Sequence, residues 1–476
     1  MITRAARKHI GKKVCNSMNA GIILYMTVLA YCAGCNKGEV NMPIQDGDRA
    51  GNHRAPHPPM GWNTSGSYNL AAETEDMIKR GAEAMIATGL TRAGYDIVLI
   101  DYGWYMPSAD LRSLIHDKLS PAWCDAFGRL IPYPDRYPSA ANGQGFKPLA
   151  DFLHDRGMKL GLHIMRGVYR AAWEANLPVK GTPYHARDIA DTNSTCGWST
   201  LMYGLNMNHP GAQPYLDSLM ELYGQWGVDF LKIDDLLSPY HAAEIAGYNR
   251  ARSKAGRPII ISSSAGNDTP LEQSMHLRQN TDMFRITRDQ WDNWSDILVQ
   301  FERAPQWAPF CGDGAWADLD ALPFGWIFDM VDSQQPIPCR LTRDEVRTSM
   351  TLHCISRSPL VFYADPLRLD DFTKAILTNP DALDANRNGT GQHEFASADN
   401  LRKWISTRQG TRSRYLALFN LADKPAQVDQ PLAEAGMAGP CRIRDIWANV
   451  DFDCNADSFP STLPAHGVGF YRLDPK

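Results

Sequence analysis

A repeated alternation of short apolar segments with longer helical patterns constrains the fold of this chain more than any other feature. The interval at residues 73–90, for example, places Ile78, Ala82 and Met85 on one face of a helix. Such alternation predicts a parallel sheet, and eight apolar segments predict a (β/α)8 TIM barrel at residues 57–388. An open, doubly wound sheet is the second choice, because no Gly-rich loop follows the first segment. The eight segments are 58–62, 97–100, 159–164, 228–233, 258–261, 283–286, a weak one at 309–316, and 360–363.

The pattern changes to closely spaced, alternating β-type runs near residue 390. Turns rich in Gly, Asn, Asp and Pro separate these runs, which lie at 402–406, 415–420, 441–447 and 467–472. This spacing predicts an antiparallel β-sandwich domain at residues 389–476. Cys441 and Cys454 both lie in this segment and form the most plausible disulfide, whereas the other cysteines beyond the N-terminus are expected to be free core thiols.

The N-terminal 35 residues have the features of an export signal. Five basic residues precede an apolar stretch that is too short to span a membrane, and Cys32-Ala33-Gly34-Cys35 follows. Small residues before a cysteine predict a lipoprotein signal with Cys35 as the lipidated residue, although a plain signal peptide or an uncleaved anchor stays open. Residues 36–56 are polar and predict a linker. The protein is therefore expected in the periplasm or on the cell surface, attached to the membrane through Cys35.

Composition excludes several classes of function. The net charge is −5, so there is no basic surface of the kind that binds nucleic acid. Beyond Cys32-Ala33-Gly34-Cys35 of the predicted signal, the cysteines include no CxxC pair, and there is no HExxH motif. We therefore predict neither a metal site nor a cofactor, while the sequence leaves the oligomeric state open. The 13 tryptophans are compatible with a carbohydrate site, because indole rings stack on sugars.

Charged side chains recur where the predicted strands end. The C-terminal ends of barrel strands carry the active site, so these side chains are expected to meet. Clustered carboxylates need counter-charges, for which Arg166, Lys232 and Arg285 are candidates. Paired carboxylates beside tryptophan are typical of glycoside hydrolysis, whereas a serine hydrolase would need a GxSxG frame that residues 262–264 lack. The strand ends supply Trp62, Asp101, His163, Asp234, Asp235, Arg285, Asp289, Asp318, Asp320 and Asp365.

Several motifs occur in the order found in one enzyme family. The sequence PMGWNT at 59–64 resembles the opening motif of glycoside hydrolase family 27, the α-galactosidase or melibiase group. Residues 226–234 (WGVDFLKID) resemble the strand whose last Asp is the family's nucleophile. Residues 285–294 (RITRDQWDNW) keep the spacing of its Arg, acid/base Asp and Trp. Weaker similarities lie at 99–104, 157–162, 316–320 and 358–360, and the tail resembles the family's β-sandwich.

The resemblance implies a retaining exo-glycosidase, with α-galactosidase as the default activity. Asp234 would be the nucleophile and Asp289 the acid/base, with their carboxyl groups about 5–5.5 Å apart. Asp292, near the acid/base, is expected to be a solvated helix residue. Lys232 and Arg285 would keep Asp234 ionised. The substrate-binding set is Trp62, Asp101, Tyr102, His163, Lys232, Ser264, Arg285 and Asp320.

Three positions depart from the galactosidase pattern. Tyr102 replaces a second Asp that grips sugar hydroxyls, His163 stands where Tyr is common, and the fifth strand ends in serines up to Ser264. An α-N-acetylgalactosaminidase, a β-L-arabinopyranosidase and a catalytically silent sugar-binding lipoprotein are therefore alternatives. A long insertion at 169–210 is also expected to reshape the pocket.

Overall fold

The computed structural model describes residues 54–70, 72–107, 123–266, 268–329 and 333–476. The predicted signal segment, Cys35 and nearly all of the predicted linker lie outside these ranges. Within the described ranges, no helix is long and apolar enough to cross a membrane.

Eight parallel strands form the barrel that the sequence predicts, in the sheet order β7-β6-β5-β4-β3-β2-β1-β8. Leu322 closes the ring, because its N–H donates to the Val361 carbonyl over 2.7 Å and its own carbonyl accepts the Tyr363 N–H over 2.9 Å. The strands are β1 (Met60–Asn63), β2 (Ile97–Ile100), β3 (Lys159–Met165), β4 (Phe230–Asp234), β5 (Ile260–Ser263), β6 (Met283–Arg285), β7 (Trp316–Asp318) and β8 (Leu360–Phe362).

The weak seventh segment begins later than the sequence suggested. Ala308–Phe310 forms a 3-10 turn, and a tight turn paired between Gly312 and Ala315 follows. The strand therefore starts only at Trp316.

Nine helices of seven or more residues surround the barrel within the described ranges. Five of these helices start with a side-chain cap that the sequence encodes: for example, Thr74 accepts the Met77 N–H, and Thr342 forms a capping box with Glu345. They are α1 (Glu75–Thr88), α2 (Lys147–His154), α3 (Ala212–Gln225), α4 (Ala242–Ala251), α5 (Ser274–Asn280), α6 (Trp294–Trp307), α7 (Arg343–Ser356), α8 (Asp371–Leu377) and α9 (Pro380–Asn388).

Shorter elements fill the connections. Single helical turns lie at Leu90–Ala93, Arg170–Glu174 and Ala186–Ile189, and 3-10 turns lie at Thr64–Gly66, Pro138–Ala140, Arg252–Ala255, Leu271–Gln273 and Pro366–Arg368. A small hairpin after β7 pairs Trp326–Phe328 with Pro336–Pro338. The insertion after β3 contains a three-stranded antiparallel sheet made of Val168–Tyr169, Ala190–Thr195 and Met202–Leu205.

The C-terminal domain is the antiparallel β-structure that the sequence predicts. A six-stranded sheet has the order β9-β10-β11-β16-β13-β14, and β12 pairs with β15. The hydroxyl of Thr348 on α7 donates to the His466 carbonyl, and Trp447 donates to Thr351, so α7 joins the two domains. The strands are β9 (Gly389–Ala398), β10 (Leu401–Arg408), β11 (Arg414–Asn420), β12 (Ala426–Pro431), β13 (Cys441–Asp445), β14 (Val450–Cys454), β15 (Ser458–Leu463) and β16 (Val468–Pro475).

The prediction of a Cys441–Cys454 disulfide is wrong. The two residues are direct neighbours across β13 and β14, yet both are free thiols. The Cys454 Sγ contacts the carbonyls of Ala456 and Ser458 at 3.6 and 3.5 Å instead. The two strands bring the cysteines together, but this neighbourhood does not entail the bond between the thiols that was predicted.

Candidate active site

Asp234 ends β4 and is held by two hydrogen-bonding groups. The His163 Nε2 atom lies 3.1 Å from Asp234 Oδ2, and the Asp235 N–H donates to Asp234 Oδ1 over 2.6 Å. Burial by itself would raise the pKa of Asp234, but His163, Lys232 and the Asp235 N–H outweigh it and lower that pKa. Asp234 is therefore an ionised carboxylate in a site where it is only 7% exposed.

A second buried carboxylate, Asp101, follows β2 beside this pair. Lys232 Nζ lies 3.3 Å from its Oδ2, and the Asn63 amide donates to the same oxygen over 2.7 Å. The Tyr102 N–H donates to Oδ1 over 2.8 Å. Although burial opposes it, these groups, Lys232 foremost, hold the pKa of Asp101 well below its usual range. Asp101 and Lys232 therefore form a fixed pair of charges next to Asp234.

Arg285 at the end of β6 binds three carboxylates at once. Its guanidinium lies 3.2 Å from Asp289, 3.2 Å from Asp318 and 2.5 Å from Asp320. Burial raises the pKa of Asp320 to about 7 against the pull of Arg285, and the charges of Asp289 and Asp318 add to the rise. The side chain of Asp289 is 60% exposed, so it lies at the mouth of the site, whereas Asp318 and Asp320 lie inside.

Strand register explains why these residues meet. His163 is the neighbour of Lys232, which is in turn the neighbour of Ser262, and Asp318 is the neighbour of Arg285. Side chains two residues apart on a strand share a face. A small cavity of about 20 Å³ at the centre is lined by Asn63, Leu99, Phe230, Lys232, Ser262, Met283, Arg285, Asp318, Asp320, Ala321 and Val361.

Tyr102 is buried beside the His163–Asp234 pair. Its ring makes an edge-to-face contact with His163, with ring centroids 5.8 Å apart. Its hydroxyl lies 3.1 Å from the Ser199 hydroxyl, and Trp198 packs against it at 5.1 Å. Ser199 and Trp198 belong to the insertion after β3, so the insertion reaches the site. No motif in the sequence pointed to these two residues.

Ser264 lies directly after β5. It is 1% exposed, and its hydroxyl has no hydrogen-bond partner among the described residues. Its carbonyl accepts the Leu236 N–H over 2.9 Å, which places Ser264 against the loop that follows Asp234. A buried hydroxyl without a partner is costly, so a ligand group that bonds to it would be stabilised.

Trp62 was predicted as a platform for sugar, and the structure places it in the core instead. It is 0% exposed, and its indole N–H donates to Ser67 over 2.8 Å. A Cβ atom on Gly81 of α1 would lie 2.2 Å from the ring, so the indole fills the contact between β1 and α1. The neighbouring Asn63, which the prediction omitted, reaches the site through Asp101.

The expectation that Asp292 is solvated is also wrong. It is 4% exposed and accepts both the backbone N–H of Arg340 over 2.9 Å and its guanidinium over 3.0 Å. Arg340 also binds Asp329 at 2.7 Å, so it ties the loop of Asp289 to the hairpin after β7. Sequence gave no signal for this contact, because the partners are 48 residues apart.

No group of three or more His, Cys, Asp or Glu in the described ranges is arranged to hold a metal ion.

Two family models match the chain. One, described as alpha galactosidase A, matches residues 196–388, and the other, an alpha galactosidase C-terminal beta sandwich domain, matches residues 399–473. A β-L-arabinopyranosidase of family 27 from Geobacillus stearothermophilus is 39% identical, with a TM-score of 0.84 over 89% of this chain and 97% of that one. The chain belongs to glycoside hydrolase family 27.

Two more distant relatives are named for other activities. An α-galactosidase from Oryza sativa is 25% identical over 88% of this chain and 85% of its own length. An α-N-acetylgalactosaminidase from Gallus gallus is 24% identical over 88% of this chain and 94% of its own. The family and its glycosidase class are therefore secure, whereas the relatives differ in the sugar that they release.

Proposed function

We propose that this family 27 glycosidase is a retaining exo-enzyme with Asp234 as nucleophile and Asp289 as acid/base. The main support for this proposal is the environment of Asp234. A buried carboxylate with a lowered pKa is available to attack a sugar carbon at neutral pH. The exposed Asp289 is suited to meet the leaving group, which departs towards solvent.

The reaction would proceed in two displacements. An Asp234 oxygen bonds to the anomeric carbon while the bond from that carbon to the leaving oxygen breaks, and Asp289 gives its proton to that oxygen. Asp289 then takes a proton from water, whose oxygen bonds to the anomeric carbon as the ester to Asp234 breaks. Lys232 keeps Asp101 ionised, and both are in position to bind ring hydroxyls.

We propose a β-L-arabinopyranoside as the preferred substrate, in place of the α-galactoside that the motifs suggested by default. The two sugars have the same arrangement of ring hydroxyls, but the arabinoside lacks the hydroxymethyl group on C5. Tyr102 supports this choice, because it puts a buried ring, tied to Ser199, where the galactosidase pattern has a carboxylate for sugar hydroxyls, and the hydroxyl that only the galactoside has is the one on its hydroxymethyl group. The 39% identity to an arabinopyranosidase points the same way.

An α-galactosidase is the second candidate, favoured by the description of the family model and the name of the rice relative. Hydrolysis of nitrophenyl glycosides separates the two. We expect kcat/KM for the β-L-arabinopyranoside to exceed that for the α-D-galactoside at least tenfold. Tyr102→Asp should raise the relative rate on the galactoside, whereas Tyr102→Phe keeps the ring and should keep the preference. A wild-type preference for the galactoside would contradict the assignment.

The catalytic roles have their own test. Asp234→Asn and Asp289→Asn should each lose at least a thousandfold in kcat on a poorly activated glycoside. A strongly activated aryl glycoside should rescue the first step only in Asp289→Asn, since its leaving group needs no proton. Absence of turnover on every glycoside by the wild type would favour a silent sugar-binding protein instead.

We also propose that the N-terminal 35 residues direct export and that Cys35 is lipidated. The basic stretch, the short apolar segment and the small residues before Cys35 support this. The full-length protein should partition into detergent, and Cys35→Ala should abolish incorporation of labelled fatty acid. Incorporation that is unchanged in Cys35→Ala would contradict the proposal.

A further inference from the structure

A buried ion cluster lies directly behind Asp234. Arg166, which follows β3, has a side chain that is only 2% exposed. Its guanidinium lies 3.0 Å from Asp235 Oδ2 and 2.9 Å from Glu244 Oε1. Neither partner belongs to the set of residues proposed to touch the sugar.

Arg166 also fixes the backbone on both sides of the peptide that follows Asp234. Its backbone N–H donates to the Asp234 carbonyl over 3.1 Å, and its side-chain Nε donates to the Asp235 carbonyl over 2.6 Å. Asp235 has a φ of +64°, a conformation that a non-glycine residue keeps only when its surroundings impose it. The Asp235 N–H belongs to the same peptide as the Asp234 carbonyl that Arg166 holds, and it donates to Asp234 Oδ1 over 2.6 Å.

The insertion after β3 provides the space in which Arg166 lies. A Cβ atom on Gly204 would come within 2.6 Å of the Arg166 NH1 atom. Gly167 has a φ of +95°, and a Cβ there would lie 1.9 Å from the Tyr203 carbonyl. The strand Met202–Leu205 therefore packs directly on the cluster.

We propose that Arg166 is a positioning residue for the nucleophile: held by the insertion and by Glu244, it locks Asp235 so that the Asp235 N–H orients the Asp234 carboxylate. The inference rests on the proposed role of Asp234. Without the Arg166 side chain, Asp235 loses the contacts to its carbonyl and carboxylate that keep it in the left-handed region, and the Asp234 carboxylate can rotate away from the anomeric carbon. Misplacement of a reacting group by about 1 Å can cost about 100-fold in rate.

The test measures the covalent step separately from binding. A 2-deoxy-2-fluoro-β-L-arabinopyranosyl fluoride, or its α-galactosyl counterpart if the wild type prefers galactosides, transfers its sugar to Asp234 as fluoride leaves. The rate constant of labelling and the dissociation constant are measured for wild type, Arg166→Met, Arg166→Lys and Arg170→Met. Arg170 is a matched control, because it stacks on Tyr203 of the same insertion at 4.6 Å and has no ion pair among the described residues.

We expect Arg166→Met to label 10- to 100-fold more slowly with a dissociation constant within threefold of wild type. Arg166→Lys should be intermediate, and Arg170→Met within twofold of wild type. Labelling stoichiometry by mass spectrometry counts the folded fraction, so a purely structural role would lower the stoichiometry but not the rate.

Two results would overturn the inference. One is an Arg166→Met protein that labels at the wild-type rate, and the other is an equal loss of rate in Arg166→Met and Arg170→Met. If the wild type turns over glycosides but carries its label on a residue other than Asp234, the proposed function fails as well, and the mass spectrum of the labelled peptide identifies that case.

Discussion

Arg285→Met is the substitution that most directly tests the charge balance of the site. It removes one cation from contact with three carboxylates, two of which have side chains at most 5% exposed: Asp318 and Asp320. Methionine keeps the length and apolar volume of the arginine stem, so loss of charge dominates the effect. The variant should fold but lose stability and nearly all activity.

The magnitude follows from the burial of the two carboxylates. Breaking a buried ion pair by removing one partner costs about 3–5 kcal/mol, and we expect that loss in the free energy of unfolding at pH 8. Because the pKa of Asp320 is raised to about 7, the folded protein binds more protons than the unfolded chain between pH 4 and pH 7. The contribution of Asp320 to stability is therefore present at low pH and is lost as pH rises through 7.

Removal of Arg285 raises the pKa of Asp320 further, so a protonated, neutral acid replaces an unpaired charge at low pH. At pH 5 the loss should shrink to about 1–3 kcal/mol, the cost of a buried neutral group without a full set of partners.

Urea unfolding followed by tryptophan fluorescence at pH 5 and pH 8 measures both numbers. Arg80→Met is the matched control. Arg80 forms an exposed pair with Asp76 one helical turn away, so its loss should cost less than about 0.5 kcal/mol at either pH. A loss for Arg285→Met that is equal at the two pH values, or below about 1 kcal/mol at pH 8, would refute this account of the site.

Two further substitutions probe residues around the carboxylates. Lys232→Met should raise the pKa of Asp101 and lower kcat/KM by about 100-fold, so the acidic limb of the pH–rate profile should move to higher pH. A profile that does not move would argue against control of Asp101 by Lys232. Arg340→Met should loosen the loop that carries Asp289 and lower kcat about tenfold with little change in KM, because the guanidinium bonds to Asp292 and Asp329 are lost. Steady-state kinetics check it, and an unchanged kcat would show that the loop holds without Arg340.

Much of the fold could be predicted from the sequence, because local patterns encode local structure. Apolar runs that alternate with helical periods led to the parallel barrel, and alternating runs led to the sandwich. The same order placed Asp234 and Arg285 at strand ends, where a barrel brings them together. The start of the seventh strand could not be predicted, because a turn at Gly312–Ala315 interrupts the apolar segment.

Side-chain direction and long-range pairing were decided only by the tertiary structure. Trp62 lies in the PMGWNT motif and was predicted to stack on the sugar, but its ring points towards α1, where Gly81 leaves room for it. Cys441 and Cys454 are neighbours across two strands, yet their thiols are not bonded. Partners of this kind are set by packing between distant segments, which local composition does not encode.

The surroundings of Asp234, the proposed nucleophile, show the same division. Sequence alone identified family 27 by resemblance and proposed Asp234, because the motif is contiguous along the chain. Only the tertiary structure shows that Arg166 hydrogen-bonds to the Asp235 carbonyl and that the insertion after β3 brings Ser199 to Tyr102. Which sugar the enzyme prefers depends on such tertiary contacts. The side chains that surround the sugar ring come from segments that are distant in sequence.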